Sequence, residues 1–292
     1  MPDPFDSLRI PLTPVAPDAA FAARLRERLE HALSPTKGAE AVTDAITTTS
    51  AQSVDIDRPR QVDVAYVSLW VPDLERAATF FSHVLGWRYA GTTDPGHARQ
   101  VEGLSVSHGI LGGQSRSTLF LCFTVDDVDA TIDRVQSAGG TAETPTNESY
   151  GRVAGCTDDQ GMRFAVYAVP AGVAGRRLAS TGERAGDVAY LTLEVEDSAR
   201  ARVFYAAVLG LRFGRGRSQD GWNIENMAPM AGLSGGHRDA TVVPRSRVDD
   251  IEAAVERVRE AGGVASAVSR EPYGLMSDGV DDQGTRFYLG QF

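Results

Sequence analysis

The sequence predicts an α+β protein made of four strand–helix–three-strand units, grouped as two tandem domains. Three observations predict it. The stretch 63–86, DVAYVSLWVPDLERAATFFSHVLG, returns at 187–210 as DVAYLTLEVEDSARARVFYAAVLG, with Tyr190 lying 124 positions after Tyr66. Downstream landmarks recur at a near-constant interval: Asp127/Asp250, Gly140/Gly263, Gly161/Gly284 and Phe164/Phe287 are each 123 positions apart. Within each copy the strand-then-helix pattern also occurs twice. A period this long marks a duplicated domain, not a short solenoid repeat.

Taken in order, residues 1–60 differ from the rest. Pro2, Pro4, Pro11, Pro14 and Pro17 mark an extended start. Asp18–Ala32 reads as a helix, with Phe21, Leu25 and Leu29 recurring every four residues. Its apolar stripe must bury against its own domain or a partner subunit, which leaves a homodimer open. Residues 34–61 carry no sustained period and read as a linker.

The first domain is placed at 61–170 and the second at 187–292. In strand 63–71, Val67, Leu69 and Val71 point one way and Tyr66, Ser68 and Trp70 the other. Pro72 stops the strand and Asp73 caps the next helix. Leu74, Ala77, Ala78, Phe81, Val84 and Leu85 give helix 74–85 its apolar face, and Gly86 ends it. Strands are expected near 87–90, 98–103 and 107–111. In the second half Leu119, Leu121, Phe123 and Val125 alternate with Phe120, Cys122 and Thr124. Val128, Ile132 and Val135 carry a helix to Gly139, and strands near 141–144, 151–157 and 163–168 close the unit. The second copy follows suit, with helix Asp249–Ala261. Helices on one face leave the other face of each curved sheet free. Two units side by side then make a cupped cleft, a shape suited to a small molecule.

Composition narrows the functions. The 292 residues carry a net charge of −10, which argues against a nucleic-acid or anionic-membrane surface. Two cysteines, Cys122 and Cys156, do not make a secreted disulfide framework. The first residues lack the basic start and apolar core of a signal peptide, and no run approaches the ~20 apolar residues of a membrane span. The expectation is a soluble cytoplasmic protein.

The combined pattern of VSLWVPDLERAATFFSHVLGW, FTVDDVDA, a Gly-Gly pair and DDQGMRF resembles the vicinal oxygen chelate superfamily. That group includes glyoxalases, bleomycin-resistance proteins and extradiol dioxygenases. The resemblance covers about 61–170 and 187–292. It implies paired βαβββ modules forming two glyoxalase-like domains, each with a cleft. It also implies a divalent metal held by His, Gln or Glu on three cleft strands. Those positions fall on Tyr66, Phe120 and Ala165 in the first domain, and on Tyr190, Val243 and Tyr288 in the second. None is an ordinary metal ligand, so the sequence predicts no metal and no cofactor.

Strand parity assigns the candidate ligand contacts. The first cleft is given Tyr66, Ser68, Trp70, Phe120, Cys122, Thr124, Arg163 and Tyr167, with His108 on a bordering strand. Such a lining either stacks a flat, partly apolar ligand or fills the cleft as a second core. The second cleft is given Tyr190, Thr192, Glu194, Arg245, Arg286 and Tyr288, with Trp222 as a lid or a packing residue. Its arginines suit a carboxylate or phosphate, or else pair with Glu194. The DDQG segments 158–161 and 281–284 read as structural turns. The leading reading is a metal-free protein binding an aromatic or amphiphilic metabolite or antibiotic. The alternative is a cofactor-independent isomerase, cyclase or lyase using Tyr66, Glu194 or His108 as acid or base. A metal-dependent glyoxalase or dioxygenase is the weakest reading.

Overall fold

A computed structural model describes residues 62–90, 97–148, 151–170 and 181–292. The expected N-terminal helix and linker lie outside these residues, as does Tyr150. The first domain runs β1 (Val62–Trp70), α1 (Leu74–Leu85), β2 (Tyr89–Ala90), β3 (Ala98–Val101), β4 (Ser107–Leu111), β5 (Thr118–Thr124), α2 (Val128–Ser137), β6 (Thr141–Ala142), β7 (Thr146–Glu148), β8 (Gly151–Thr157) and β9 (Arg163–Ala168). The second runs β10 (Val188–Glu194), α3 (Ser198–Leu209), β11 (Phe213–Arg215), β12 (Gly221–Ile224), β13 (Met227–Ala228), β14 (Ala231–Ser234), β15 (Thr241–Arg247), α4 (Ile251–Glu260), β16 (Val264–Ala265), β17 (Ser269–Glu271), β18 (Gly274–Val280) and β19 (Arg286–Gln291).

Each domain is one mixed sheet, ordered β2-β3-β4-β1-β5-β9-β8-β6 and β11-β12-β14-β10-β15-β19-β18-β16. The modules therefore pair within the chain. The opening strands β1 and β5, and likewise β10 and β15, run antiparallel at each sheet's centre. The helix starts follow the sequence logic. The Asp73 and Asp197 carboxylates each accept two N–H groups of the first helical turn, while Gly86 and Gly210 close α1 and α3 with φ of 70° and 69°. Two short strands escaped the sequence reading, β7 and β17, which form hairpins with β8 and β18. So did β13, which leaves its own domain and pairs in parallel with β1.

The helices lie between the sheets. α1 packs on α4 and α2 on α3, so each module's helix meets one from the other domain. Phe80 and Phe81 reach Phe287, with ring centroids 5.9 and 5.6 Å apart, and Phe164 reaches Phe204 and Tyr205 at 6.3 and 6.0 Å. One apolar core thus serves both domains.

The DDQG turns do more than reverse the chain. Asp158 accepts the N–H groups of Gln160 and Met162, and Asp281 those of Gln283 and Thr285, which is the expected turn chemistry. Each glutamine then crosses to the other domain. Gln283 accepts the Asp73 N–H at 2.8 Å and donates to its carbonyl at 3.0 Å, and Gln160 does the same with Asp197 at 2.8 and 3.0 Å. Beside them Arg76 pairs with Asp282 and Arg200 with Asp159. The opening turn of one domain is thereby fastened to the closing turn of the other, twice, about a pseudo-twofold axis.

Candidate functional site

Alternation on β1 and β10 divides the side chains as expected. Val67 and Leu69 enter the core beneath the helices, while Tyr66 and Trp70 face the concave side. What the concave sides hold differs between the domains.

In the first domain the rings close the cleft. Tyr66 is fully buried, and Trp70 and Phe120 stack with centroids 4.8 Å apart and planes 9° apart. Cys122, Val153, Ala165 and Tyr167 complete this second core, and the Ser68 hydroxyl is buried against it without a partner. The Tyr66 hydroxyl lies across Gly109 and donates to Gln100 at 3.4 Å. A hollow of about 150 Å³ lies beside Trp70 and Phe120 where the two domains meet, beneath Arg163, whose guanidinium sits 5.0 Å from the Trp70 ring. Thr124 is half-buried at the far end of its strand. The structure thus favours the filled-core reading here over a stacking site.

His108 is a correction. On β4 it pairs with Val67, so it shares Val67's face and points under the helices, not into the cleft. It packs edge-on against Trp87 at 4.6 Å, both ring nitrogens lack partners, and burial pushes its pKa down to about 3. The ring is neutral and cannot reach a ligand in the cleft. Burial also drives the Cys122 and Cys156 thiols up to about 12. Both should therefore resist a thiol reagent at pH 8 in the folded protein and react only on unfolding, a contrast a colorimetric thiol assay with and without denaturant would read.

In the second domain the cleft is open, with a volume of about 670 Å³. The two sheets differ residue for residue on this face. Glu194 stands where Trp70 does, Val243 where Phe120 does and Arg245 where Cys122 does. The floor of the cleft is Tyr190, Thr192, Gly232 and Arg245, and the rim is Met230, Tyr273 and Phe292. Tyr190 crosses Gly232 as Tyr66 crosses Gly109. Burial raises the pKa values of the Tyr190 and Tyr288 hydroxyls, the latter to about 12, so they serve as hydrogen-bond donors rather than bases at neutral pH.

Trp222 is placed differently from a lid. Its β-register matches Leu233, so its ring lies on the helix side, held between the Arg202 and Arg215 guanidinium groups at 3.6 and 4.8 Å. The same segment, Gly221 to Asn223, also borders the open cleft.

Glu194 is equally committed. Arg286 grips both of its oxygens, one at 2.8 Å, the Tyr288 hydroxyl donates at 3.3 Å and His237 Nδ1 lies 3.3 Å away. His237 Nε2 is 3.0 Å from the Ser234 hydroxyl, which gives the chain Ser234–His237–Glu194 the order of a nucleophile, a base and an orienter. Two facts deny it that chemistry. Arg286 already neutralises Glu194, and the nearby N–H groups of Gly235, Gly236 and His237 are spent on the carbonyls of Asp220, Glu196 and Val195, leaving none for an oxyanion. The cluster borders a polar groove of about 620 Å³ between the domains, not the aromatic cleft.

The metal-ligand positions do not fit a divalent ion. The directly paired rows across the three central strands are Tyr66–Cys122–Ala165 and Tyr190–Arg245–Tyr288. This moves the middle position from Phe120 to Cys122 and from Val243 to Arg245. Neither choice supplies a donor set, and in the second domain a guanidinium stands where a metal would have to sit. Among the described residues no cluster of three His, Cys, Asp or Glu side chains converges.

Residues 63–166 match the model of the Glyoxalase/Bleomycin resistance protein/Dioxygenase superfamily, and the second domain repeats the same strand and helix order. Two curated relatives align over 76% of this chain and 90% of their own length: the anthracycline biosynthesis protein DauV of Streptomyces sp. (strain C5), 28% identical, and DnrV of Streptomyces peucetius, 27% identical. Among solved structures, the Mn(II)-bound glyoxalase from Novosphingobium aromaticivorans superposes with a TM-score of 0.61 at 17% identity, covering 80% of this chain and 82% of that one. A 2,2',3-trihydroxybiphenyl 1,2-dioxygenase from Sphingomonas wittichii gives 0.59 at 16% identity, covering 80% and 91%. At such identities these structures bear on the fold alone. No helix among the described residues is long and apolar enough to cross a membrane.

Proposed function

We propose that this protein binds a flat, fused-ring aromatic metabolite in the cleft of its second domain, without a metal, while the first domain is a structural counterpart. The observation that carries the reading is the open space of about 670 Å³ on the concave face of the second sheet, with Tyr190 and Arg245 on its floor, where the equivalent Tyr66 of the first sheet is fully buried. That volume lies within the roughly 300–1,000 Å³ of ordinary small-molecule sites. Tyr190 offers a ring on the floor, and Tyr273, Met230 and Phe292 offer apolar surface at the rim, where they are 46%, 64% and 49% exposed. The curated relatives are named for anthracycline biosynthesis, and an anthracycline is built on a planar fused-ring system that such surfaces suit. A role in the cytoplasm, on a product or intermediate of that kind, is part of the proposal.

The test is calorimetric titration with a hydroxylated anthraquinone. One ligand per chain is expected, and Thr192→Trp, which sets a ring in the open cleft as rings fill the closed one, should abolish binding. No saturable binding by the parent protein, or unchanged binding by Thr192→Trp, overturns the proposal. The alternative of a cofactor-independent enzyme draws on the proton-bearing Tyr190 hydroxyl beside Arg245, which could hold a carbonyl oxygen as charge develops on it. Mass change of the bound ligand on incubation, lost in Tyr190→Phe, would favour the enzyme over the binder.

A further inference from the structure

We infer that the second cleft selects ligands bearing an oxyanion, a carboxylate by shape, and that Arg245 receives it. The inference rests on the binding role proposed above and names the class of ligand. Arg245 projects from the middle of the sheet floor, between Tyr190 on one neighbouring strand and Tyr288 on the other. Its guanidinium carbon lies 4.9 Å from the Tyr190 ring, 5.1 Å from Tyr273 and 5.8 Å from Tyr288. Three ring faces stabilise a cation, but they accept nothing in the plane of the fork, where the N–H groups point. The Nε is buried and has no hydrogen-bond partner.

The lining supplies no counter-charge, and Asp278, the acid beyond Tyr288 on the same sheet face, is exposed outside it. The residues lining the cleft include Arg217 and Arg245 but no aspartate or glutamate. Among the described residues neither of these arginines makes an ion pair, whereas Arg76, Arg200 and Arg286 each hold a carboxylate. Glu194 is the acid on the same strand face, four residues along β10 from Tyr190, and Arg286 and Tyr288 already hold it. In a chain of net charge −10, an unpaired guanidinium at the floor of an open cleft leaves charge-assisted hydrogen bonds unmade. A carboxylate lying in the guanidinium plane would make them, and its aromatic body would then extend toward Tyr273 and Phe292. Arg217, 5.6 Å from the Tyr273 ring, stands at the mouth as a second cation on the way in.

The experiment compares anthraquinone-2-carboxylate, its methyl ester and anthraquinone-2-sulfonate by calorimetry against the parent protein, Arg245→Gln and Arg217→Gln. Thermal melts establish that each variant is folded. The acid should bind at least about tenfold more tightly than the ester, the expected margin for a charge-assisted fork. Arg245→Gln should erase that margin while leaving ester binding within about twofold, and Arg217→Gln should reduce it less. Sulfonate binding as tight as the acid would keep the oxyanion site but remove its preference for a planar carboxylate. If acid and ester both bind saturably with equal affinity, the oxyanion site is wrong and the aromatic cleft stands. If none of the three binds, the cleft reading fails and this inference falls with it.

Discussion

Gly109→Ala is expected to cost about 3 kcal/mol of stability, the upper end of what overpacking a core costs, while Gly232→Ala costs about 1 kcal/mol and weakens ligand binding instead. The two glycines are equivalent, each facing the middle of its opening strand, and each is crossed by a tyrosine. A Cβ would stand 2.1 Å from the Tyr66 hydroxyl at Gly109 and 2.3 Å from the Tyr190 hydroxyl at Gly232. Both tyrosines would have to move, and only one has room. Tyr66 is fully buried in a core that includes Trp70, Phe120 and Tyr167, so its ring can shift only by displacing others. Tyr190 borders an open cleft and can swing into it. That swing would occupy ligand space and pull a ring away from Arg245. Parallel thermal melts should separate the variants by roughly 5 °C, with Gly109→Ala the lower. Equal melting losses would mean that the two clefts are packed alike, and the assignment of one as structural would fail.

The duplicated units, the helix caps and the two faces of each opening strand were legible because they depend on local period and on residue types at fixed offsets. Whether a concave face is a site or a core was not. Tyr66, Trp70 and Phe120 read the same whether they line a cavity or fill it. The decision depends on packing between strands: Tyr66 is fully buried in a cluster with Trp70, Phe120 and Tyr167, whereas the equivalent Tyr190 borders open space. The face of His108 was also hidden, because a short strand following a loop has no parity until its register with β1 is known. The glutamines of the DDQG turns gave no sign of joining the domains, since each acts on a backbone far away in sequence. For Glu194 and the arginines the residue types were informative but the partners were not. Only the fold shows that Arg286 takes Glu194 and leaves Arg245 unpaired.

The near-symmetry of the shared core supports a second prediction, a reciprocal exchange. Tyr205 on α3 is fully buried, and its hydroxyl donates to Asp158 Oδ2 at 3.0 Å. The equivalent pair in the other half is Phe81 on α1 and Asp281, whose Oδ2 is buried without a partner. Tyr205→Phe should therefore cost about 1–3 kcal/mol, the penalty of leaving a buried acceptor unmet, and Phe81→Tyr should gain about 1 kcal/mol by meeting one. The pH dependence distinguishes this cause from a packing change. Burial raises the folded-state pKa of both Asp158 and Asp281 above the ordinary carboxylate value, so folding is penalised as pH rises through that pKa and the carboxylate ionises. A hydroxyl donated to the ionised form lowers the penalty. The gain from Phe81→Tyr should thus be full at neutral pH and fade as acid protonates Asp281, and the loss from Tyr205→Phe should fade over the corresponding window for Asp158. Urea denaturation of the parent and both variants at a series of pH values would show it. Differences from the parent that stay constant down to pH 3 would assign both effects to ring packing against Phe287 and Phe164 rather than to the carboxylates.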